Sequence, residues 1–211
     1  SNKPIFGEVN FGLNEFTIHK TDSSSMIVVH VYLNGEFLNS FWADGLIVAT
    51  PTGSTAYSLS CGGPIMFPDS GAFVITPVAP HNLNARPIII PDNTILSFEV
   101  ECRSNNFLCS IDSRSKHADT THQLAVKKAG FTLKLVRMPE SSYLKTLREK
   151  LSWGEDTETG NFLLFIDYQV FIRINCLCIR IFSAFKSNFH PKYRIFDIKH
   201  PIFDFQVQIS A

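Results

Sequence analysis

The sequence predicts a mainly β, β-sandwich-like domain with one short helix and one carboxyl-terminal amphipathic helix. Three observations carry that reading. Residues 26–43 hold two β-rich runs around Asn34-Gly35, two later segments alternate apolar with polar residues, and many short apolar runs are bounded by Pro, Gly, Asn or Asp. Short strands at close spacing with turn residues between them are the pattern of a sandwich.

In chain order, the first element is the hairpin. Asn-Gly between two β-rich runs favours a type I′ turn, because both turn residues adopt positive φ. Short strands are predicted at 46–49, 73–75, 88–90 and 107–111. From Thr94, Leu96, Phe98 and Val100 alternate with Ser97, Glu99 and Glu101, and from Phe131, Leu133 and Leu135 alternate with Thr132 and Lys134. A period of two gives each strand one wet face. A short helix is predicted over 54–60, following Gly53. A second helix, over 141–153, carries Leu144, Leu147 and Leu151 on one face and has serines placed to cap it.

The 211 residues, 23.8 kDa, correspond to one domain or one plus a fragment at roughly 150 residues per domain. A domain of this size buries enough surface to fold without disulfides or a structural metal. Nineteen Lys and Arg balance nineteen Asp and Glu, which argues against a nucleic-acid binder driven by phosphate neutralisation and against a polybasic membrane anchor. Cys61, Cys102, Cys109, Cys176 and Cys178 are odd in number and lack CxxC spacing, which reads as reduced thiols in a reducing compartment. The start has no signal-peptide pattern, and the apolar stretch 162–185 is interrupted by Asp167, Arg173 and Arg180. A bilayer-spanning helix tolerates such charges poorly. The expectation is a cytoplasmic, soluble protein.

The chain starts at Ser1 and enters strand-like sequence almost at once, which predicts an amino-terminal truncation. Composition changes after Gly160: all eleven glycines lie at or before it, while residues 161–211 hold nine of the nineteen phenylalanines and nine isoleucines. The tail, 157–211, reads either as an extra β-rich subdomain or as a segment not native to the rest, such as a translated AT-rich or frame-shifted stretch. No function is drawn from it.

The chemistry is concentrated in 43–64. An apolar strand runs into Thr50-Pro51-Thr52-Gly53-Ser54-Thr55, a turn dense in hydroxyls, with a short helix opening after it. Free N–H groups at a helix start and small hydroxyl residues suit anionic or ribosyl groups, and glycine lets a ligand approach the backbone. A purely structural Ser/Thr cap is the competing reading. The Gly-Lys-Ser/Thr ending of a P-loop is absent, and Ser60 and Cys61 lack the Gly-x-Ser-x-Gly surroundings of a nucleophile. His117, Asp119 and His122 have spacing that fits a surface loop better than a metal site, and no metal-ligating set is predicted. His81 reads as structural, satisfied by backbone groups.

Asp44-Gly45-Leu46-Ile47-Val48, the run from Thr50 to Ser58 and Gly62-Gly63-Pro64 closely resemble the signature of NAD kinases. Leu13-Asn14-Glu15, Ile75-Thr76-Pro77-Val78-Ala79-Pro80-His81-Asn82-Leu83, Arg86-Pro87-Ile88 and Ser110-Ile111-Asp112 resemble further family motifs in the same order, and Leu147 to Gly154, ending Leu-Ser-Trp-Gly, resembles the family's carboxyl-terminal helix. The resemblance covers about residues 5–156. It implies the carboxyl-terminal, NAD-binding domain (1–156) of a two-domain kinase that phosphorylates the adenosine ribose 2′-hydroxyl of NAD, giving NADP, with ATP or polyphosphate and Mg²⁺. The family's Gly-Gly-Asp-Gly segment belongs to its amino-terminal domain and is not found between Ser1 and Ala211, so this chain is expected to be inactive alone.

By resemblance, Asn14 and Glu15 would bond the adenosine side of NAD. Thr52, Thr55, Ala56, Tyr57 and Ser60 would line the pocket, and Asp44 would meet the nicotinamide amide, partly across a subunit interface of a homo-oligomer. Asp112 would stand near the reacting ribose or its phosphates as the chain's own catalytic candidate. The family usually has Asp-Gly there. This chain has Asp112-Ser113-Arg114, and a Cβ at Ser113 makes positive φ costlier, which predicts an altered turn. Arg114 and Lys116 read either as phosphate partners or as solvated cations. A non-catalytic dinucleotide-binding or interaction module is the alternative from another class, and a related lipid kinase a more distant one.

Overall fold

A computed structural model of the chain describes residues 5–7, 9–22, 25–133, 142–153 and 202–210. It divides into two compact units, residues 1–134 with 199–211, and residues 135–198.

The first unit contains β1 (Phe11–Gly12), β2 (Glu15–Lys20), β3 (Ile27–Leu33), β4 (Glu36–Ala43), β5 (Gly45–Ala49), α1 (Tyr57–Ser60), β6 (Ala72–Val78), β7 (Ile88–Pro91), β8 (Leu96–Glu101), β9 (Asn106–Ile111), β10 (Arg114–Asp119), β11 (Gln123–Leu133) and β12 (Ile202–Ser210). They form two six-stranded sheets in the orders β1-β12-β11-β8-β3-β4 and β10-β9-β2-β5-β6-β7. The pairings are antiparallel throughout.

Alternation explains the packing. Phe16 and Ile18 of β2, Val29 and Val31 of β3, Phe98 of β8, and Phe107 and Ile111 of β9 share one buried cluster. Phe16 and Phe98, from different sheets, stand 6.1 Å apart ring to ring. Two sheets with their apolar faces interdigitated make the sandwich expected from the sequence. In β5, Leu46 and Val48 join this cluster, whereas Ile47 and Ala49 join a second one with Met66, Ala72 and Val74. The strand is covered on both faces, which is why its sequence is continuously apolar.

The hairpin forms as β3 and β4, with Asn34 at φ 51° and Gly35 at φ 86°. Asn34 Oδ1 also accepts a bond from Ile95 N at 2.9 Å, fastening the turn to the start of β8. Four expectations are corrected. The single helix predicted over 54–60 is a 3-10 turn, Gly53–Thr55, and then α1, because Ala56 between them sits at φ −103°, ψ −127°. Residues 114–119, read as loop, are the edge strand β10, held in register by β9. The strand predicted from Phe131 is the end of the longer β11, whose pairing shifts between Lys128 and Thr132. The positive φ lies at Asp112 (50°) rather than at Ser113, so the Ser113 side chain does not meet the strain expected of it.

In the second unit, α2 (Tyr143–Leu151) follows Ser142, whose extended backbone ends the preceding chain but whose hydroxyl makes no capping bond. Ser152 turns left-handed at φ 51°, and Trp153 N donates to Arg148 O at 3.0 Å, closing the helix. Of the tail, only β12 lies within the described residues. No described helix is long and apolar enough to cross a membrane.

Candidate nucleotide site

The site is assembled on the face of β2 that points away from the sandwich core. Glu15, Thr17 and His19 share that face and register against Ala49, Ile47 and Gly45 of β5. The chain then leaves β5 through the hydroxyl bend, and Thr50 ties the two segments together. Its N–H donates to Asn14 O at 2.9 Å, and its hydroxyl donates to Leu13 O at 2.6 Å while accepting from Gly53 N at 3.1 Å. Gly53 is packed so closely that a Cβ there would lie 2.0 Å from Asn14 O. Asn14-Glu15 and the bend at 52–57 are therefore neighbours, as the resemblance requires.

The hydroxyls of the bend divide into two sets. Thr50, Ser54 and Ser58 are buried scaffolding. Ser54 Oγ donates to Pro51 O at 2.7 Å and accepts from Met66 N at 2.9 Å, and Ser58 Oγ meets Thr76 Oγ1 at 2.8 Å. Thr52, Thr55 and Ala56 are half-buried, and Tyr57 and Ser60 exposed. The expected free amides are not found at Gly53, Ser54 or Ala56, whose N–H groups bond Thr50 Oγ1, Thr50 O and Gly53 O respectively. The bend thus offers accessible side chains at Thr52, Thr55, Tyr57 and Ser60, and those three amides close the bend on itself.

Beside the bend, Asn14 Oδ1 and Glu15 Oε2 are buried without any hydrogen-bond partner among the described residues. Buried polar atoms in folded proteins are almost always paired, so two adjacent orphans set this place apart. Burial, reinforced by the Asp112 charge, pushes the Glu15 carboxyl up to about 7.

Asp112 sits in the turn between β9 and β10, and its carboxylate faces backbone. Oδ1 accepts from Asn14 N at 2.8 Å and Glu15 N at 3.2 Å, and Oδ2 from Leu13 N at 2.9 Å, while Asp112 N donates to Glu15 O at 3.0 Å. Arg114 is likewise engaged: its guanidinium donates to Val9 O and Phe11 O, both at 2.5 Å. Lys116 is exposed.

Tyr57 stacks on His19, with centroids 5.6 Å apart and planes 27° from parallel. Burial holds the His19 imidazole below its ordinary range, opposed in part by Asp44. Asp44, between β4 and β5, pairs with Lys20 Nζ at 2.6 Å. The sequence reading missed His19, and it named Thr50 within the hydroxyl turn without its role as a tie. The signal for His19 was its period-two relation to Glu15 and Thr17, legible only once β2 is recognised as a strand.

Elsewhere, His122 Nδ1 stands 2.9 Å from Asp119 Oδ1, a carboxylate that also accepts from Thr121. Among the described residues, no three His, Cys, Asp or Glu side chains are grouped to hold a metal ion. His81 is exposed, and its main-chain N–H bonds Trp42 O at 2.8 Å. A cavity of about 480 Å³ between His30, Glu101 and His122 includes none of the predicted site residues.

Fold and site together define a two-sheet β domain with two unpaired polar atoms, Asn14 Oδ1 and Glu15 Oε2, gathered beside a hydroxyl-rich bend. Residues 13–138 match the family model of the ATP-NAD kinase C-terminal domain, and the chain belongs to that family. It is 56% identical over 156 residues to an NAD kinase of Cytophaga hutchinsonii, covering 74% of this chain and 53% of that protein. It is 54% identical over 149 residues to the NAD kinase of Flavobacterium psychrophilum, covering 71% and 51%. The chain thus spans about half the length of these relatives. Among solved structures, yeast NADH kinase complexed with NADH matches with a TM-score of 0.63 at 27% identity, over 71% of this chain and 46% of that one. An Archaeoglobus fulgidus NAD kinase in complex with ATP matches with a TM-score of 0.52 at 27% identity, over 57% and 46%.

Proposed function

We propose that this chain is the NAD-binding part of an NAD kinase, which transfers a phosphoryl group from ATP or polyphosphate to the adenosine ribose 2′-hydroxyl of NAD. The observation that carries the reading is the pair of buried, unpartnered acceptors, Asn14 Oδ1 and Glu15 Oε2, beside the open bend. A ribose diol supplies hydroxyl donors for both, and an adenine edge supplies an amino donor. Tyr57 presents a flat wall backed by His19, Ala56 leaves room beside it, and Thr52, Thr55 and Ser60 offer hydroxyls. Asp44, with its oxygen held by Lys20, accepts from the nicotinamide amide, in a homo-oligomer across a subunit boundary.

Phosphoryl transfer asks a protein for alignment and charge stabilisation. The alignment of the acceptor ribose is this chain's share. The described residues offer no carboxylate cluster for Mg²⁺, and the Asp112 carboxylate is engaged by backbone amides. The ion accordingly belongs to the donor phosphates, and activation of the 2′-hydroxyl belongs to a Gly-Gly-Asp-Gly segment that these 211 residues do not contain. The domain implied by the family resemblance spans residues 1–156 and includes the matched range 13–138, while the described strand of the tail, β12, pairs with β1 and β11 of the first unit. The presence of NAD and ATP in the cytoplasm supports a cytoplasmic location.

Titration calorimetry of the 211-residue chain with NAD should show saturable binding that Asn14→Ala and Glu15→Ala weaken. Incubation with NAD, ATP and Mg²⁺ should give no sustained NADP production. Turnover by the chain alone would overturn the division of labour, and saturable NAD binding with no turnover from any longer form would favour a non-catalytic module.

A further inference from the structure

We propose that Asp112 and Arg114 are positioning residues, the two hands of a backbone clamp that presents Asn14 and Glu15 to the nucleotide. The inference rests on the reading of this site as an NAD pocket. The turn between β9 and β10 brings an anion and a cation to opposite needs of one passing strand. The Asp112 carboxylate takes the N–H groups of Leu13, Asn14 and Glu15. The Arg114 guanidinium takes the carbonyls of Val9 and Phe11. Each charged group thus meets the backbone dipoles of the opposite sign, and such charge-assisted bonds are stronger than neutral ones.

The geometry explains why the segment needs holding. Between β1 and β2 the chain runs as an open stretch at Leu13 and Asn14, without ladder partners of its own. Thr50 grips the carbonyls of Leu13 and Asn14 from the bend, and Asp112 grips the amides of the same residues from the other side. With N–H and C=O groups both engaged, the peptide planes are fixed. The side chains of Asn14 and Glu15 then retain their ligand-facing oxygens unpaired. The three main-chain donors turn the Asp112 carboxylate toward the backbone of residues 13–15, so Asp112 acts through its neighbours. Its left-handed φ of 50° is one that Asp and Asn tolerate better than most residues, which makes Asp112→Asn a substitution that keeps the turn and removes the charge.

The test uses the whole 211-residue chain, with 5′-AMP and nicotinamide mononucleotide as the two halves of NAD. Asp112→Asn should weaken 5′-AMP and NAD by about tenfold, the loss expected of a charge-assisted bond, and leave nicotinamide mononucleotide binding unchanged. Amide hydrogen exchange read by NMR should accelerate at Leu13, Asn14 and Glu15 and stay slow in β5 and β6. Arg114→Gln, which spares Asp112, should give the same selective loss in smaller measure, and Arg114→Lys should restore part of it. Equal weakening of both halves, or unmoved exchange at residues 13–15 in both variants, would overturn the clamp. A wild-type chain that binds neither half would overturn the nucleotide reading and the clamp with it, whereas normal wild-type binding with an unaffected Asp112→Asn variant would sink the clamp alone.

Discussion

The imidazole of His19 and the phenol ring of Tyr57 stack across the gap between β2 and α1, 5.6 Å apart and 27° from parallel. The contact is possible because Gly45 registers opposite His19, and a Cβ at Gly45 would lie 2.6 Å from His19 Nδ1. The stack gives Tyr57, itself 39% exposed, a rigid backing on one face.

His19→Ala should therefore weaken NAD binding through loss of that backing. An aromatic pair contributes about 0.5–1.5 kcal/mol beyond its buried area, so a decrease of roughly threefold to tenfold is expected by calorimetry. His19→Phe keeps a ring in place and should retain most of the affinity. An unchanged Kd for His19→Ala would remove Tyr57 from the pocket wall.

Glu15 should make binding depend on pH. Its carboxyl is raised from 4.5 to about 7, first by burial and second by the charge of Asp112, and its charge is also felt at Tyr57. A carboxylate accepts ribose hydroxyls with both oxygens, whereas its protonated form gives up acceptor capacity. NAD affinity should rise as pH passes through about 7 and level off above it. The stability effect has the opposite direction: a carboxyl raised on folding contributes stability that is complete below the unfolded value and is lost as pH climbs through the folded one. Relative to Glu15→Gln, the melting temperature of the parent chain should fall between pH 4.5 and about 7. His19, held below its ordinary range by burial, stays neutral near and above pH 7. A flat affinity profile between pH 6 and 8 would contradict the assignment of Glu15.

The sandwich was legible in the sequence where alternation or turn chemistry was strong. Leu96-Ser97-Phe98-Glu99-Val100 reads as β8 because one face is wet, and Asn34-Gly35 reads as a type I′ turn because both residues take positive φ. β2 was legible only as strand-like sequence near the start, without bounds, since Glu15 and Thr17 alternate with Phe16 and Ile18 on a face that is polar yet buried, so polarity did not signal exposure. β10, Arg114–Asp119, is an edge strand whose polar sequence resembles loop, and only its register with β9 makes it a strand. For the site, the motifs brought Asn14, Glu15 and the bend together correctly. They could not show which hydroxyls are scaffold and which are open, because that depends on partners such as Met66 N and Thr76 Oγ1, distant in sequence.

Thr50 provides a test of the tie between the two halves of the site. Thr50→Val is nearly isosteric but deletes the hydroxyl that donates to Leu13 O and accepts from Gly53 N. The residue is fully buried, so both partners lose a bond that water cannot easily replace. A cost of about 1–3 kcal/mol in urea unfolding is expected. Thr50→Ser, which keeps the hydroxyl, should recover most of it.

Gly53→Ala should be more damaging than its size suggests. The added Cβ would lie 2.0 Å from Asn14 O and 2.4 Å from Asn14 C, main-chain atoms that cannot swing aside. Relief requires the bend to move away from Asn14, and inserting even one methyl into such a contact costs roughly 1–3 kcal/mol. Because the displaced atoms belong to the residue that presents Oδ1, NAD binding should fall together with stability. The glycine at 71 supplies the control: a Cβ there meets nothing within 4 Å, but φ is 59°, so Gly71→Ala carries backbone strain without disturbing the site. Gly71→Ala is thus expected to lower the melting temperature with NAD affinity intact, and Gly53→Ala to lower both. Wild-type affinity in a folded Gly53→Ala chain would show that contact between the bend and Asn14 is not what forms the pocket.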